Sequence, residues 1–202
     1  LTDDEFDLYL EYTRQIPIGK DKINSIAAIK RQSVLDNAMK KNAVLLEIIE
    51  KLIKNNNHKF TLVYCPKGFD AEERRINNLI TETKERFPNL EILPFLGESE
   101  KRPQRLLQFE TGETDMLFAI KCLDEGVNIP RAENGIFLAS GKNYREFVQR
   151  RGRLLRNFKN DNYIKTHANI HDIIVLPSIH HSKSNPKQSK KLIFSEFKRF
   201  LE

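Results

Sequence analysis

The sequence predicts an α/β fold in which a mainly parallel sheet carries helices on both faces. Apolar runs of strand length alternate with amphipathic helical segments from Phe60 to Leu176. These runs are almost continuously apolar, which is typical of strands that are buried on both faces. Strands and helices that alternate in this way form parallel sheets joined by right-handed crossovers. Outside this core, the pattern predicts a helical N-terminal leader and a C-terminal helix.

The first segment of the chain, residues 1–41, is predicted to be a helical leader. The stretch from Thr2 to Glu5 has the S/T-x-x-E form of a capping box and precedes a short apolar-periodic run. Apolar residues at three- and four-residue intervals predict a second helix over Ile23–Met39 and, just after the leader, a third over Ala43–Leu52. The leader carries no pattern that indicates chemistry.

The second segment, residues 42–177, holds the predicted sheet. Its strands are expected at Phe60–Cys65, Leu90–Phe95, Met116–Ile120, Gly135–Ala139 and His171–Leu176. Helices are expected over Ala71–Phe87 and over Lys101–Glu110, the second ending at Gly112. Ligands of open parallel sheets gather beyond the carboxyl ends of the strands. The loops after the first four strands are therefore the candidate functional loops.

The third segment, residues 178–202, is expected to combine a linker with a helix. The residues from Ser178 to Lys191 are polar, basic and proline-containing, which is typical of a linker. From Leu192 onward, apolar residues recur at helical intervals. We expect an amphipathic C-terminal helix.

Composition limits the kind of protein and its partners. Thirty-four Lys and Arg residues against 28 Asp and Glu residues give a net charge of +6, which favours a polyanionic partner. No apolar run reaches the length of about 18 residues that a membrane span requires, so no membrane partner is expected. Cys65 and Cys122 lack a paired spacing, and no signal peptide is visible. We expect a cytoplasmic protein, and the absence of an initiator methionine suggests a fragment.

The most informative stretch is arginine-rich and runs from Tyr144 to Arg156. Its apolar residues predict a helix up to Gly152, where the glycine would let the backbone turn. Arg153 and Arg156 would then project beyond the helix end. Each planar guanidinium can grip phosphate oxygens through two hydrogen bonds, so the pair suits a bound triphosphate. The alternative is a solvated helix face or a nonspecific nucleic-acid patch.

The run Gln-Arg-Arg-Gly-Arg-Leu-Leu-Arg at residues 149–156 resembles motif VI of the superfamily 2 helicases. Its Q-x-x-G-R-x-x-R form is similar to that of relatives of the xeroderma pigmentosum group B helicase and of restriction-enzyme translocases. The resemblance implies a second RecA-like domain. It places Gln149 near the γ-phosphate, groups Gly152 with the nucleotide site, and makes Arg153 and Arg156 arginine fingers.

The stretch 115–130 is a strand, a polar loop and a proline stop, and it resembles motif V of the same superfamily. The resemblance implies that Ile120 and Lys121 face nucleic acid, while Gly126 and Asn128 face the nucleotide. Two positions depart from the family pattern. Ile120 stands where the family has Thr and so lacks a hydroxyl for a phosphate contact. Asn128 stands where the family has Asp and can hydrogen-bond a ribose without charge.

Two further motifs fall at the ends of predicted strands. The strand at Phe60–Cys65 with Lys67 resembles motif IV, and the stretch from Gly97 to Phe109 resembles the motif that follows it. In the family, the arginine of this later motif approaches the nucleic-acid backbone, which implies that role for Arg102. Lys67, in the loop after the first strand, is also expected to contact the nucleic-acid backbone.

Together these motifs resemble the C-terminal half of an ATP-driven nucleic-acid translocase. A phosphate loop and a Walker B strand are absent from the sequence, and a Walker B assignment for Asp124-Glu125 fails because Lys121 interrupts the apolar run. The resemblance therefore implies that ATP with Mg²⁺ is held mainly by a first RecA-like domain of the same parent chain. DNA is favoured as the nucleic acid, with RNA possible. The alternative is a non-catalytic RecA-like module that binds nucleic acid or protein.

Four histidines raise the question of a metal site. His167 and His171 are four residues apart, and His180-His181 follow nearby. No cysteine or carboxylate cluster completes a ligand set. We expect loop histidines and no metal.

Overall fold

The structure is a computed structural model, and it describes residues 1–17, 25–66, 72–96, 100–120, 129–138, 144–160 and 163–201. The chain divides into two compact units. One, the sheet unit, comprises Val44–Ile173, and the other, the terminal unit, comprises Leu1–Ala43 with Ile174–Glu202.

The described strands belong to one parallel sheet and one hairpin. They are β1 (Thr61–Tyr64), β2 (Ile92–Phe95), β3 (Met116–Ala119), β4 (Asn134–Phe137), β5 (Phe158–Asn160), β6 (Tyr163–Lys165) and β7 (Asn169–Asp172). The sheet has the order β2-β3-β1-β4-β7, and every neighbouring pair is parallel. β5 and β6 pair antiparallel as a separate hairpin. The predicted parallel sheet is confirmed.

The centre of the sheet explains why its strands have continuously apolar sequences. All residues of β1, β3 and β4 are buried. Successive side chains of a strand point to opposite faces, so Leu62 and Val63 enter two different apolar clusters. Leu62 lies in register with Leu117 and Gly135. Because both faces are covered, neither face of these strands selects polar residues.

Eight helices are identified in the part of the chain that the structure describes. They are α1 (Asp3–Gln15), α2 (Ile26–Asp36), α3 (Lys40–Lys54), α4 (Glu72–Arg86), α5 (Arg102–Thr111), α6 (Tyr144–Leu154), α7 (Ile179–Ser184) and α8 (Pro186–Leu201). The predicted capping box is present, since Thr2 N donates to Glu5 Oε2 at 2.8 Å and Glu5 N donates to Thr2 Oγ1 at 3.2 Å. Gly112 ends α5 with φ 81°, a left-handed conformation that glycine adopts without strain.

The terminal unit packs helices from both ends of the chain around a small apolar core. Its buried residues are Leu1, Phe6, Tyr9, Leu10, Leu35, Ala38, Val175 and Leu192. The backbone N–H of Val175 donates to Glu196 Oε2 at 3.1 Å, which satisfies a buried carboxylate on α8. None of the described helices has both the length and the apolar character required to cross a membrane.

Three sequence predictions differ from the structure. The segment 178–191, predicted as a linker, forms α7 and the first turns of α8, which begins with proline at a position where its missing N–H costs nothing. The last strand lies at Asn169–Asp172 rather than at His171–Leu176. The residues after it are apolar because Ile173 and Val175 enter the cores of the two units. The β5–β6 hairpin was not predicted, since its short strands have no apolar alternation.

Candidate functional site

Helix α6 carries the arginine-rich stretch and continues past the glycine at which it was predicted to end. Gly152 lies inside the helix, and a Cβ built on it meets no atom within 4 Å. Arg153 is therefore a helical residue, contrary to the prediction that it projects beyond the helix. Arg156 follows the helix end by two residues, as predicted for the second arginine.

The burial of Leu154 explains why α6 extends beyond Gly152. Leu154 is 1 % exposed and joins the apolar cluster that includes Leu62 and Phe137. A Cβ at Gly135 would lie 2.2 Å from Leu154 Cδ1, so only glycine at that position of β4 permits this close approach. Removing the Leu154 side chain from water offsets the cost of a glycine in the helix interior.

The same packing locates the arginine end of α6 relative to the sheet. Gly135 is the second residue of β4, so the last turn of α6 lies beside the amino half of that strand. The sequence predicted that the functional motifs lie in or beside the loops at the carboxyl ends of the strands. Helix α6 follows the loop after β4, and Leu154 in its last turn packs against that strand.

The candidate nucleotide-facing residues on α6 share one side of the helix. Gln149 and Arg153 are four residues apart and therefore lie one above the other. Gln149 and Gly152 are exposed, Arg153 is partly exposed, and Arg156 is exposed just beyond the helix. Gln149, Gly152 and Arg153 therefore share one side of α6, and Arg156 follows the helix end.

Lys165 on β6 holds the end of this helix. Lys165 is buried, with only 4 % of its surface exposed. The ammonium donates to the backbone carbonyl of Leu154 and, at 3.0 Å, to that of Pro130. Burial lowers the pKa of Lys165, while Glu133 acts in the opposite direction and Arg131 adds to the lowering. No sequence pattern indicates this role, because a single lysine in a polar stretch is most often solvated.

Arg131 contacts the β5–β6 hairpin through the rings of Phe158 and Tyr163, and it also contacts Phe60 before β1. Its guanidinium carbon lies 3.9 Å from the ring centroid of Phe60, 4.1 Å from that of Tyr163 and 5.1 Å from that of Phe158. Such cation–π contacts are strongest where water is excluded. Glu133 approaches Arg131 Nη2 at 3.9 Å. Burial, followed by the hydrogen bond and charge of Glu133, raises the pKa of Tyr163.

A buried amide ties together the amino ends of three strands. Asn134 is 0 % exposed, and its Nδ2 donates to the carbonyls of Asn57 at 2.9 Å and Lys59 at 3.3 Å and to Thr61 Oγ1 at 3.3 Å. Its Oδ1 accepts from Asn169 Nδ2 at 3.0 Å. The network fixes the edge of the sheet beside which α6 ends.

The predicted nucleic-acid residues are only partly within the described chain. Arg102 is the first residue of α5, and its guanidinium lies 5.4 Å from the ring centroid of Phe95, which orients it at the carboxyl end of β2. Ile120 is 1 % exposed and packs in the core, so its side chain offers no surface for nucleic acid. Lys67 and Lys121 lie outside the described residues, as do the predicted nucleotide-facing residues Gly126 and Asn128.

The histidines are more ordered than predicted. His167 lies between β6 and β7, outside both strands, and His171 lies in β7, within the range of the strand predicted at its position, whereas His180 and His181 lie in α7 instead of the expected loop. His181 Nδ1 lies 2.9 Å from Asp3 Oδ1, and its Nε2 lies 3.0 Å from Asp7 Oδ1. Within the described residues, no three His, Cys, Asp or Glu side chains are grouped to hold a metal ion.

The sequence matches the family model described as "Helicase conserved C-terminal domain" over residues 40–158. The chain belongs to this family. The match extends from α3 to the start of β5 and includes all of α6 with its arginines. No curated protein matches the chain.

Solved structures agree with the family assignment at the level of the fold. The Sulfolobus solfataricus SWI2/SNF2 ATPase core domain has a TM-score of 0.59 at 14 % identity, with 100 % of this chain and 45 % of that chain covered. The C-terminal domain of the DEAD-box protein Dbp5 has a TM-score of 0.53 at 15 % identity, with 80 % and 78 % covered. DEAD-box helicase domain 2 of Mss116p, bound to an RNA duplex, has a TM-score of 0.51 at 18 % identity, with 69 % and 50 % covered.

The chain therefore contains a helicase C-terminal domain with a RecA-like fold. It spans about half the length of the SWI2/SNF2 core and of the Mss116p chain that it matches.

Proposed function

We propose that this domain is the C-terminal motor half of an ATP-dependent nucleic-acid helicase or translocase. The observation that carries the proposal is the family match over residues 40–158, which includes Arg153 in the last turn of α6 and Arg156 just after the helix, three residues apart. Planar guanidiniums at this spacing suit the oxygens of a triphosphate. ATP and Mg²⁺ would be held mainly by a first RecA-like domain of the same parent chain, which is the partner of this domain.

In this proposal, the arginines act when the two domains close around ATP. Arg153 and Arg156 neutralise the charge that develops on the transferred phosphoryl group, and Gln149 lies near the γ-phosphate. Gly126, Asn128 and Gly152 belong to the same nucleotide surface. Hydrolysis removes the contact between the arginines and the γ-phosphate, so the domains separate.

Backbone contacts to nucleic acid would turn this cycle into movement along a strand. Arg102 has its guanidinium oriented by Phe95, and Lys67 and Lys121 follow neighbouring strands in the sequence. Contacts to phosphates predict binding with little sequence preference and a strong dependence on salt. We favour DNA over RNA because the Asp-Glu-Gly sequence at residues 124–126 resembles DNA repair and restriction relatives. The unpaired cysteine spacing favours a cytoplasmic parent.

The test is the nucleic-acid-stimulated ATPase activity of the full-length parent protein. Arg153→Ala and Arg156→Ala are each expected to lower turnover by roughly 10³- to 10⁵-fold, the range found when arginine fingers are removed. Arg74→Ala removes an exposed arginine from α4 and serves as the matched control, with activity unchanged. Nucleic-acid binding by both finger variants should be retained. Full activity in Arg153→Ala and Arg156→Ala would contradict the proposal.

A second candidate is a non-catalytic RecA-like module that binds nucleic acid or protein. The observation in its favour is the loss of two family side chains, since Ile120 is a buried apolar residue and Asn128 replaces an acid. A wild-type parent without ATPase activity, but with salt-dependent nucleic-acid binding, would favour this candidate.

A further inference from the structure

A single buried ammonium joins two segments that have separate roles in the proposed function. Lys165 Nζ donates to the carbonyl of Leu154, the last residue of α6, and to the carbonyl of Pro130. Pro130 is the final residue of the stretch that resembles motif V, and Leu154 is two residues before Arg156. The ammonium therefore connects the nucleic-acid-linked stretch to the arginine-bearing helix.

The location of the ammonium has a clear electrostatic effect. The last carbonyls of a helix have no intrahelical partner and carry the negative end of the helix dipole. A cationic side chain on a neighbouring strand can donate a hydrogen bond to such a carbonyl and thereby fix where the helix ends. In this domain the lysine is buried, so water cannot replace the ammonium as a donor to Leu154.

The segment Pro130–Glu133 holds the hairpin that supplies Lys165 through a second residue, Arg131. Phe158 of β5 and Tyr163 of β6 both lie against the guanidinium of Arg131, at 5.1 Å and 4.1 Å from their ring centroids. Lys165 is thus fixed from two sides, by its carbonyl partners and by the aromatic contacts of its own hairpin. Movement of the segment around Pro130 would move the hairpin and the end of α6 together.

We propose that Lys165 is a positioning residue that sets the placement of Arg156 and couples it to Pro130, the end of the stretch that resembles motif V. This inference rests on the proposed role of Arg156 as an arginine finger. Lys165 does not touch the nucleotide and acts through the end of α6. Its loss should therefore impair the step in which nucleic acid accelerates hydrolysis more than it impairs ATP binding.

The chain offers a matched lysine that lacks this arrangement. Lys59 Nζ also approaches a carbonyl at the end of a helix, that of Gly112 after α5, at 3.4 Å. Its side chain is 56 % exposed, so water can take over its contact. Lys59→Met therefore controls for the loss of a lysine at a helix terminus.

The experiment compares steady-state ATPase activity of the full-length parent as wild type, Lys165→Met, Lys165→Arg and Lys59→Met. Lys165→Met should lower the nucleic-acid-stimulated kcat by ~10- to 100-fold, since small misplacements of a catalytic group have effects of this size, with little change in KM for ATP. Lys165→Arg retains a cation with several donors and should recover part of the kcat. Lys59→Met should behave as wild type. If Lys165→Met does not fold, as judged by thermal unfolding, Lys165→Gln takes its place.

A double variant separates positioning from a general structural effect. Arg156→Lys keeps the charge but loses the planar fork, so it should retain a measurable residual rate. If Lys165 acts through Arg156, adding Lys165→Met to Arg156→Lys should lower kcat by much less than Lys165→Met does in the wild type. Multiplication of the two single effects would overturn the inference.

The outcomes also distinguish this inference from the function on which it rests. Wild-type kcat in Lys165→Met, together with a strong loss in Arg156→Ala, would overturn the positioning role alone. Full activity in Arg156→Ala would overturn the proposed function and, with it, the role of Lys165.

Discussion

The two units of the molecule shift the pKa of a histidine in opposite directions, at His181 in the terminal unit and at His171 in the sheet unit. In the terminal unit, His181 has an Asp carboxylate on each ring nitrogen, at 2.9 Å and 3.0 Å. Burial opposes its charge, but hydrogen bonds to Asp7 and Asp3 outweigh burial and raise its pKa. In the sheet unit, burial and then the charge of Lys51 lower the pKa of His171. The terminal unit favours the imidazolium, and the sheet unit favours the neutral ring.

This difference reflects what surrounds each side chain. The terminal unit brings Asp3 and Asp7 of α1 to His181 of α7, which provides two carboxylates for a buried imidazole. The sheet unit surrounds its polar groups with apolar side chains and satisfies Asn134 through neutral amides and carbonyls. Buried polar groups require partners in either case, but only the terminal unit supplies its histidine with charged partners among the described residues.

The largest expected effect comes from removing the neutral network of the sheet unit. Asn134→Ala leaves the Asn57 carbonyl without its side-chain donor and the Asn169 amide without its acceptor inside a buried site. We expect the free energy of unfolding to fall by about 3 kcal/mol, the cost of orphaning buried polar groups. Denaturant titration measures the total, and hydrogen exchange resolved by peptide shows whether β1 and β4 lose protection more than α1 and α8 do.

Asn78→Ala is the matched control, because Asn78 is an exposed residue of α4 and its loss should change stability by less than about 0.5 kcal/mol. Equal loss of protection in the two units would show that the neutral network does not belong to the sheet unit alone.

A smaller effect is the opposite pH dependence of the two units. His181 has a raised pKa, so its contribution is complete below its unfolded value near 6.5 and is lost as pH rises through the folded value. His171 has a lowered pKa, so the stability that it contributes as a neutral ring is lost as pH falls through the unfolded value. Acidification from about pH 8 to about pH 6 should strengthen the terminal unit and weaken the sheet unit.

Hydrogen exchange at the two pH values, corrected for the intrinsic exchange rate, measures each unit separately. His181→Asn should abolish the pH dependence of α1 and α7, and His171→Asn should abolish that of β4 and β7. The lowered pKa of Asp3, caused first by its hydrogen bond to Ser178 and then by that to His181, adds stability that is lost only in stronger acid. If acidification changed the protection of both units in the same direction, the opposite pKa shifts of His181 and His171 would be contradicted.

The smallest expected effect concerns Gly152 in α6. Because a Cβ at this position meets no atom within 4 Å, Gly152→Ala should stabilise the domain by about 0.5 to 1 kcal/mol through lower chain entropy. Thermal unfolding measures this increase. If Gly152 belongs to the nucleotide surface, ATPase activity of the parent should fall even though stability rises. A variant that is both more stable and fully active would remove Gly152 from the proposed site.

The sequence predicted the sheet unit better than the terminal unit for a physical reason. Strands β1, β3 and β4 are buried on both faces, so their burial is visible as uninterrupted apolar runs. The start of α8 was predicted as a linker because its residues are polar, and the one that it buries there is Ser189; further along, the helix also buries the polar Glu196. Both are satisfied by distant partners, Ser189 by the carbonyl of His181 and Glu196 by the N–H of Val175. Local polarity could not reveal these bonds.

In the candidate site, too, the sequence predicted local features but not those that depend on distant residues. The arginines on and beside α6 were identified from a local pattern, because spacing along a helix is a local property. The end of the helix was not, since it depends on the packing of Leu154 against Gly135 and on Lys165, residues 19 and 11 positions away. Residues that act through tertiary contacts leave no periodic signal in the sequence.

The outer strand β2 affects how the domain behaves at high concentration. The carbonyls of Glu91 and Phe95 bond toward β3, so the alternate residue Pro94 directs its backbone away from the sheet. Proline has no N–H to offer there, and Arg105 Nη1 donates to the Pro94 carbonyl at 2.6 Å. The middle of this strand therefore presents neither a donor nor a vacant acceptor to a strand from another molecule. Pairing of β2 with a strand from another molecule is therefore disfavoured at Pro94.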